Sequence, residues 1–306
     1  MEALIEPILP IFLVILLGCF VKKSGFLNEG TLGEINRFIF NFPLPVLVFT
    51  GVAHSNFEGM NFKSFFAIMI PTFLTLLLSL ISGKFLKLSG GKLGTFLQAS
   101  IHGNVSYVGL ATILFTLGES SLKKGTFFVG FLILLNNAIA ILSLHLTSRN
   151  TKDSFYVALS SILKTPVIWA TFLGLFFAAY EISLPSFILK TMNILSNVAL
   201  PMALIVIGAT MKWDFLTDNV FPLILASIFK LFVLPVLCIP LLNYFRVPIE
   251  YGVPLIILLA SPVAISSYVM ARELDGDARL ASGAITLSTL LSPLAFILWR
   301  VALGVS

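Results

Sequence analysis

The sequence predicts an all-α integral membrane protein, with ten transmembrane helices arranged as two inverted repeats of five. Three observations carry this. The 306 residues are 58% hydrophobic and only 11% charged, with a mean hydropathy of +1.03, whereas a soluble domain carries about 25% charged residues. Apolar runs near the ~20 residues that cross a bilayer recur ten times, joined by short connections. The two halves also echo each other. Pro10 and Pro166, Gly18 and Gly174, and the Asn-x-x-Leu-Pro stretches Asn41–Pro45 and Asn197–Pro201 all lie 156 residues apart.

Taken in order, the expected spans are 5–21, 33–53, 62–82, 94–117 and 125–147, then 157–179, 187–210, 219–243, 250–271 and 281–303. The first is not a secretory signal. Glu2 and Glu6 stand where a signal is basic, and Lys22-Lys23 follow the apolar stretch. The longest polar gap, Thr147–Ser154, divides the chain into halves 1–150 and 151–306. Five spans is an odd number, so the second half starts on the opposite side of the membrane and the repeats are inverted.

Basic residues set the orientation. Loops after the odd-numbered spans hold Lys22, Lys23, Arg37, Lys84, Lys87, Lys92, Arg149, Lys152, Lys164, Lys212, Arg272 and Arg279. The other side holds Lys63, Lys123, Lys124, Lys190, Arg246 and Arg300. The richer side is expected to be cytoplasmic, with both termini outside the cell membrane. The net charge of +5 falls between apolar runs and so carries no nucleic-acid signal. Cys19 and Cys238 each sit inside an apolar run and read as buried structural thiols.

Spans 4 and 9 are interrupted. His102-Gly103-Asn104 breaks the first, and Ser261-Pro262 followed by Ser266-Ser267 breaks the second; Ser-Tyr-Val follows each break (Ser106–Val108, Ser267–Val269). Gly103 frees the backbone from helical geometry, and Pro262 lacks an amide donor. Non-helical backbone at membrane depth is tolerated only where it is buried in protein or lines a cavity. Breaks in matching parts of two repeats point to a transporter's substrate site. Each restarting helix aims its positive end at the break, an arrangement that attracts an anion. A break can also be a mere packing kink; pairing across the repeat favours a site.

The residues expected to bind substrate are therefore Gly103, Asn104, Val105, Ser106 and Tyr107 in span 4, with Ser261, Pro262, Val263, Ala264, Ser266 and Ser267 in span 9. Asn41 and Asn197, at equivalent repeat positions before Pro45 and Pro201, either bond freed carbonyls or coordinate a cation. Asn136 and Asn137 are read the same way. Lys230 lies roughly 16 Å along span 8, near the midplane. It is a counter-ion for an anionic substrate, a fixed charge replacing a bound sodium, or a snorkelling side chain. No carboxylate lies clearly inside a span, which leaves His102 as the titratable group beside the break, although a lone histidine there is more often a structural hydrogen-bonder. No cofactor is expected, and the coupling ion, proton or sodium, stays open. There is no phosphate-binding loop for ATP and no nucleophile–base pair for an enzyme.

These residues, Asn-x-x-Leu-Pro in spans 2 and 7, Gly-Asn-x-x-Tyr-Val-Gly-Leu at 103–110, Pro-Val-Ala with Tyr-Val at 262–269, and Ile35-Asn36-Arg37-Phe38, resemble the auxin efflux carrier family. That family includes bacterial malate- and malonate-type permeases and is related to plant PIN-type auxin carriers. The resemblance covers nearly the whole chain. It implies that spans 4 and 9 cross at their broken centres. It also implies a scaffold of spans 1, 2, 6 and 7, a transport domain of spans 3–5 and 8–10, and elevator-like movement of a small organic anion. Scaffold helices of such folds often pair as a homodimer. The plant carriers have a proline in the span-4 crossover where Gly103-Asn104 stands here, and many have a long cytosolic loop that is absent here. A small carboxylate therefore fits better than auxin. The rival within transport is a sodium-dependent carrier of the bile-acid type, with sodium near Asn104, Ser106, Thr112, Ser266 and Ser267. A membrane sensor is the rival outside transport.

Overall fold

The computed structural model describes residues 6–55, 65–147, 160, 164–212 and 220–304. The described residues are all-helical, with no strand among them. The helices are α1 (Leu9–Lys23), α2 (Glu29–Asn41), α3 (Pro43–Ala53), α4 (Phe66–Phe85), α5 (Gly90–Ile101), α6 (Leu110–Thr147), α7 (Pro166–Ala179) and α8 (Ser186–Thr210). There follow α9 (Phe221–Ile228), α10 (Leu234–Tyr244), α11 (Ile249–Leu259), α12 (Ser266–Glu273) and α13 (Ala278–Ala302). Single π-helical turns at Val105–Gly109 and Phe229–Val233 lead into α6 and α10.

Local chemistry explains several boundaries. The Asn28 side chain accepts from the Thr31 amide at 2.9 Å to start α2, and Asp277 accepts from the Leu280 amide at 2.8 Å to start α13. Pro43 and Pro166 stand in the first turns of α3 and α7, where a missing amide costs nothing. Span 2 was expected to be continuous from 33 to 53. It instead begins at Glu29 and breaks at Phe42, because Pro43 disfavours helical geometry in the residue before it. Spans 4 and 5 were expected to be separate, and within the stretch labelled α6 two helical pieces are indeed divided at Gly118, whose non-helical φ of 81° and ψ of 179° suit glycine.

Six helical stretches among the described residues are long and apolar enough to cross a membrane: Glu29–Ala53, Phe66–Phe85, Val105–Thr147, Ser186–Thr210, Phe221–Tyr244 and Ala278–Ala302. The expected count was ten, and Val105–Thr147 covers parts of two expected spans, 94–117 and 125–147, divided at Gly118. The remaining pieces are short: α1 has 15 residues, α5 has 12, α7 has 14 and α11 has 11. Breaks shorten two of them, α5 and α11, and most of 157–163 lies outside the described residues.

Helix surfaces are arranged for lipid. On α4 the exposed face carries Phe66, Phe73, Leu77, Ile81 and Phe85, while the buried face carries Ala67, Thr72, Thr75, Ser79 and Gly83. Large apolar groups facing out and small or hydroxyl groups facing in is how helices pack where lipid removes the hydrophobic drive for their association. Prolines inside helices free the carbonyl four residues earlier, and here three of those carbonyls find side-chain donors. Cys238 Sγ donates to Ala67 O at 3.1 Å opposite Pro71, and Trp299 Nε1 donates to Leu231 O at 2.8 Å opposite Pro235. Ser292 Oγ donates to Thr289 O at 2.8 Å before Pro293. Cys19 Sγ likewise donates to Gly208 O at 3.1 Å, so both thiols hold backbone.

Helices α1, α2, α3, α7 and α8 pack mainly on one another, and α4, α5 and α9–α13 form a second group that α6 joins to the first. Two glycine contacts in the first group mirror each other. A Cβ on Gly18 would collide with the carbonyl of Ile205, and one on Gly174 would press on Val52 and on the carbonyl of Phe49. Gly18 and Gly174, like Phe49 and Ile205, lie 156 residues apart. Arg300, counted with the basic residues of the extracytoplasmic side, is 2% exposed near the end of α13.

Candidate functional site

The two interrupted spans meet. After α5, His102 is extended and Gly103 pairs antiparallel with Val263, which lies beyond the end of α11. The Asn104 amide donates to Pro262 O at 2.7 Å, and the Ala264 amide donates to His102 O at 3.0 Å. Each break thus supplies the partners that the other lost when its helix ended. Ser261 Oγ donates to Leu258 O at 2.7 Å, the carbonyl freed by Pro262, and the Val263 amide donates to Ser288 Oγ at 2.9 Å. The chain then restarts on both sides. Asn104 Oδ1 accepts from the Tyr107 amide at 3.2 Å, opening the π turn before α6. Ser266 opens α12.

Beside this crossing lies a cavity of about 250 Å³. Residues His102 to Tyr107 form one wall, and Ala264, Ile265, Ser266 and Val269 another. Asn136 and Asn137 of α6 and Asn36 and Phe40 of α2 complete it. No Asp, Glu, Lys or Arg lines it among the described residues. The first amides of a helix have no acceptor in a preceding turn, and Val105, Ser106 and Ser266 bring such first turns to the cavity wall. The polar lining is therefore neutral amides, hydroxyls and the His102 imidazole, together with two positive helix ends.

The structure gathers Gly103, Asn104, Val105, Ser106, Tyr107, Asn136, Ala264 and Ser266 around this cavity. Ser261, Pro262 and Val263 lie behind it and hold the crossing. Ser267 also stands back from it, with its hydroxyl 3.2 Å from His102 Nδ1. Asn41 is exposed outside the cavity, its amide donating to Arg37 O at 2.6 Å, so it does not reach the breaks. Asn197 is elsewhere, on a second cavity of about 480 Å³ with Thr50, His54, Glu119, Lys123, Asn193 and Ser196. Lys230 does not snorkel. It is 1% exposed, donates to Leu259 O, and sits behind Gly103 outside the cavity wall. Asn36 was missed as a site residue. Its Oδ1 accepts from the Tyr107 hydroxyl at 2.9 Å; the sequence signals were an amide in an otherwise apolar helix face and its place in the Ile35–Phe38 stretch that carries the family resemblance.

The two cavities are separated by apolar packing. Between its lining positions in one cavity and the other, each of three segments passes through fully buried residues: Leu44 in α3, Val108 in the π turn with Ala111 in the first turn of α6, and Phe128, Val129 and Leu132 further along α6.

A multi-pass helical bundle with a polar cavity at paired helix breaks, and an apolar barrier to a second cavity, defines a membrane transporter. A family model described as membrane transport protein matches residues 3–156 and 147–300, and the chain belongs to that family, the auxin efflux carriers. An uncharacterized transporter of Methanothermobacter thermautotrophicus is 26% identical over 97% of this chain and 98% of its own. Another, from Methanocaldococcus jannaschii, is 26% identical over 96% of this chain and 97% of its own. The uncharacterized transporter YfdV of Escherichia coli is 23% identical over 94% of this chain and 93% of its own. Its partners are thus the bilayer and a small transported substrate.

Proposed function

We propose that this chain is a secondary transporter of a small organic anion, a carboxylate of the malate or malonate kind, bound at the crossing of the two breaks. The observation that carries the reading is the cavity wall: two helix N-terminal turns, neutral amides and the His102 imidazole, with no side-chain carboxylate among the described residues to repel an anion. Backbone amides at a helix start suit a carboxylate, and the dipole adds to them. A volume of about 250 Å³ lies below the ~300–1,000 Å³ of drug-sized pockets, which fits a small metabolite.

The fold reading that goes with this is ten spans in two inverted repeats of 1–150 and 151–306. The matched glycine contacts of Gly18 and Gly174 support it, because an in-plane two-fold axis would relate them. Spans 1, 2, 6 and 7 then form the scaffold. Spans 3–5 and 8–10 carry the crossing past them in an elevator motion, with the Tyr107–Asn36 bond as a contact between the moving and fixed parts. The crossing cavity opens to the cytoplasm of the cell membrane, the second cavity opens outside, and both termini are extracytoplasmic. A homodimer would pair through scaffold helices.

The test is uptake of radiolabelled malate, malonate and a monocarboxylate into proteoliposomes holding the purified protein, with pH, sodium and membrane potential varied separately. Uptake of one carboxylate, driven by potential or a single ion gradient and lost in Asn104→Ala, is the expected result. No movement of any carboxylate by protein that is monodisperse and cooperatively folded would reject the assignment.

A further inference from the structure

Lys230 is not accounted for by the anion cavity. The sequence aims it there by a local device. Pro235 has no amide for Leu231 O, Trp299 Nε1 takes that carbonyl instead, and the backbone passes Lys230 in the π turn Phe229–Val233. The side chain then runs inward, 1% exposed, and its ammonium donates to Leu259 O, the last residue of α11. It also abuts Gly103, two residues past the end of α5. A Cβ built on Gly103 would lie 2.5 Å from Lys230 Cε, 2.7 Å from Nζ and 2.7 Å from Ser261 Oγ. The crossing therefore sorts charge. Two helix N-termini face the cavity, and the Lys230 ammonium lies between the C-terminus of α11, at Leu259 O, and the backbone of Gly103 just past the C-terminus of α5.

Helix C-termini carry negative partial charge and free carbonyls. In discontinuous transporter helices such ends coordinate cations. Here a covalently attached cation already sits there.

We infer that the Lys230 ammonium occupies a cation site formed by the C-terminal ends of α5 and α11, as a tethered replacement for a mobile coupling ion, so that the protein neither binds nor needs sodium. This rests on the crossing being the working centre, but not on which anion it carries. The tether offsets the helix ends permanently, and the anion cavity on the opposite face keeps its positive potential without an ion being loaded first. Lys230→Ala removes the ammonium and its stem and leaves space for a cation, with water occupying about 30 Å³ per molecule. Lys230→Met fills the same space without charge.

The experiment is thermal unfolding of the purified full-length protein in detergent, replacing choline chloride stepwise with sodium, lithium or ammonium chloride at constant ionic strength. Wild type and Lys230→Met are expected to melt at the same temperature in every salt. Lys230→Ala is expected to gain a saturable rise, about 3 °C at tenfold the dissociation constant, with at least one of the small cations. Lys230→Ser serves as the second variant, and the wild-type titration needs none. A sodium-dependent shift in wild type overturns the inference, and so does a folded Lys230→Ala or Lys230→Ser with no cation-dependent shift. The readout uses no anion, so failure of the carboxylate assignment leaves it intact.

Discussion

Gly103→Ala is the sharpest perturbation of the crossing. The added methyl would meet Lys230 Cε at 2.5 Å, Nζ at 2.7 Å and Ser261 Oγ at 2.7 Å. A lysine tip on a surface would swing away. This one is 1% exposed and holds Leu259 O, so moving it breaks a charge-assisted hydrogen bond, worth about 1.5–3 kcal/mol. Leaving it in place overpacks the site at about 1–3 kcal/mol. Either route gives a loss of about 2 kcal/mol, which at ~2–4 °C per kcal/mol lowers the melting temperature by about 4–8 °C. Two assays check it: thermal unfolding in detergent, and proteoliposome uptake of whichever carboxylate wild type moves, which should fall at least about tenfold, a change of ~1.4 kcal/mol. Combining Gly103→Ala with Lys230→Ala removes the collision with the lysine, leaving only that with Ser261 Oγ, and should restore part of the melting temperature, because contacting residues are not additive. A Gly103→Ala protein that melts within about 1 °C of wild type, well inside the expected shift, refutes the reasoning. So does a double variant no more stable than Gly103→Ala alone.

Asn104→Ala removes the acceptor for the Tyr107 amide at 3.2 Å; it should cost about 1 kcal/mol of stability yet abolish most uptake, a split that an unfolding variant would not give. Tyr107→Phe deletes the 2.9 Å bond to Asn36 and should lower stability by about 1 kcal/mol, with no further loss when Asn36→Ala is added, as a double-mutant cycle on melting would read. Gly208→Val places a side chain against the backbone carbonyl of Ile15, which cannot give way as a rotamer would. Expression with loss of the monodisperse peak on size exclusion is the expected outcome.

Much of this protein is written in local signals. Low charge and long apolar runs specify membrane residence at any position in the fold, because they depend only on transfer of side chains into hydrocarbon. His102-Gly103-Asn104 and Ser261-Pro262 mark broken helices for an equally local reason, a flexible backbone in one and a missing amide in the other. Their equivalence across the repeat singled them out, and the residues around the first break do line the cavity. The Asn-x-x-Leu-Pro pair was as regular in sequence, yet Asn41 ended on an exposed helix end and Asn197 on a different cavity.

What the tertiary structure alone decided was facing and partnership. In water, an amphipathic helix announces its buried face. In lipid both faces are apolar, so hydropathy does not say whether Asn36 or Asn41 looks inward, or that small residues of α4 turn in while its phenylalanines turn out. The backbone groups freed by one break also carry no sequence code for where they are satisfied. Only the packed structure pairs Asn104 with Pro262 and His102 with Ala264. The same holds for Lys230, whose charge was plain in the sequence and whose destination, a carbonyl at the end of another helix 29 residues away, depended on a close approach that only a glycine at 103 permits.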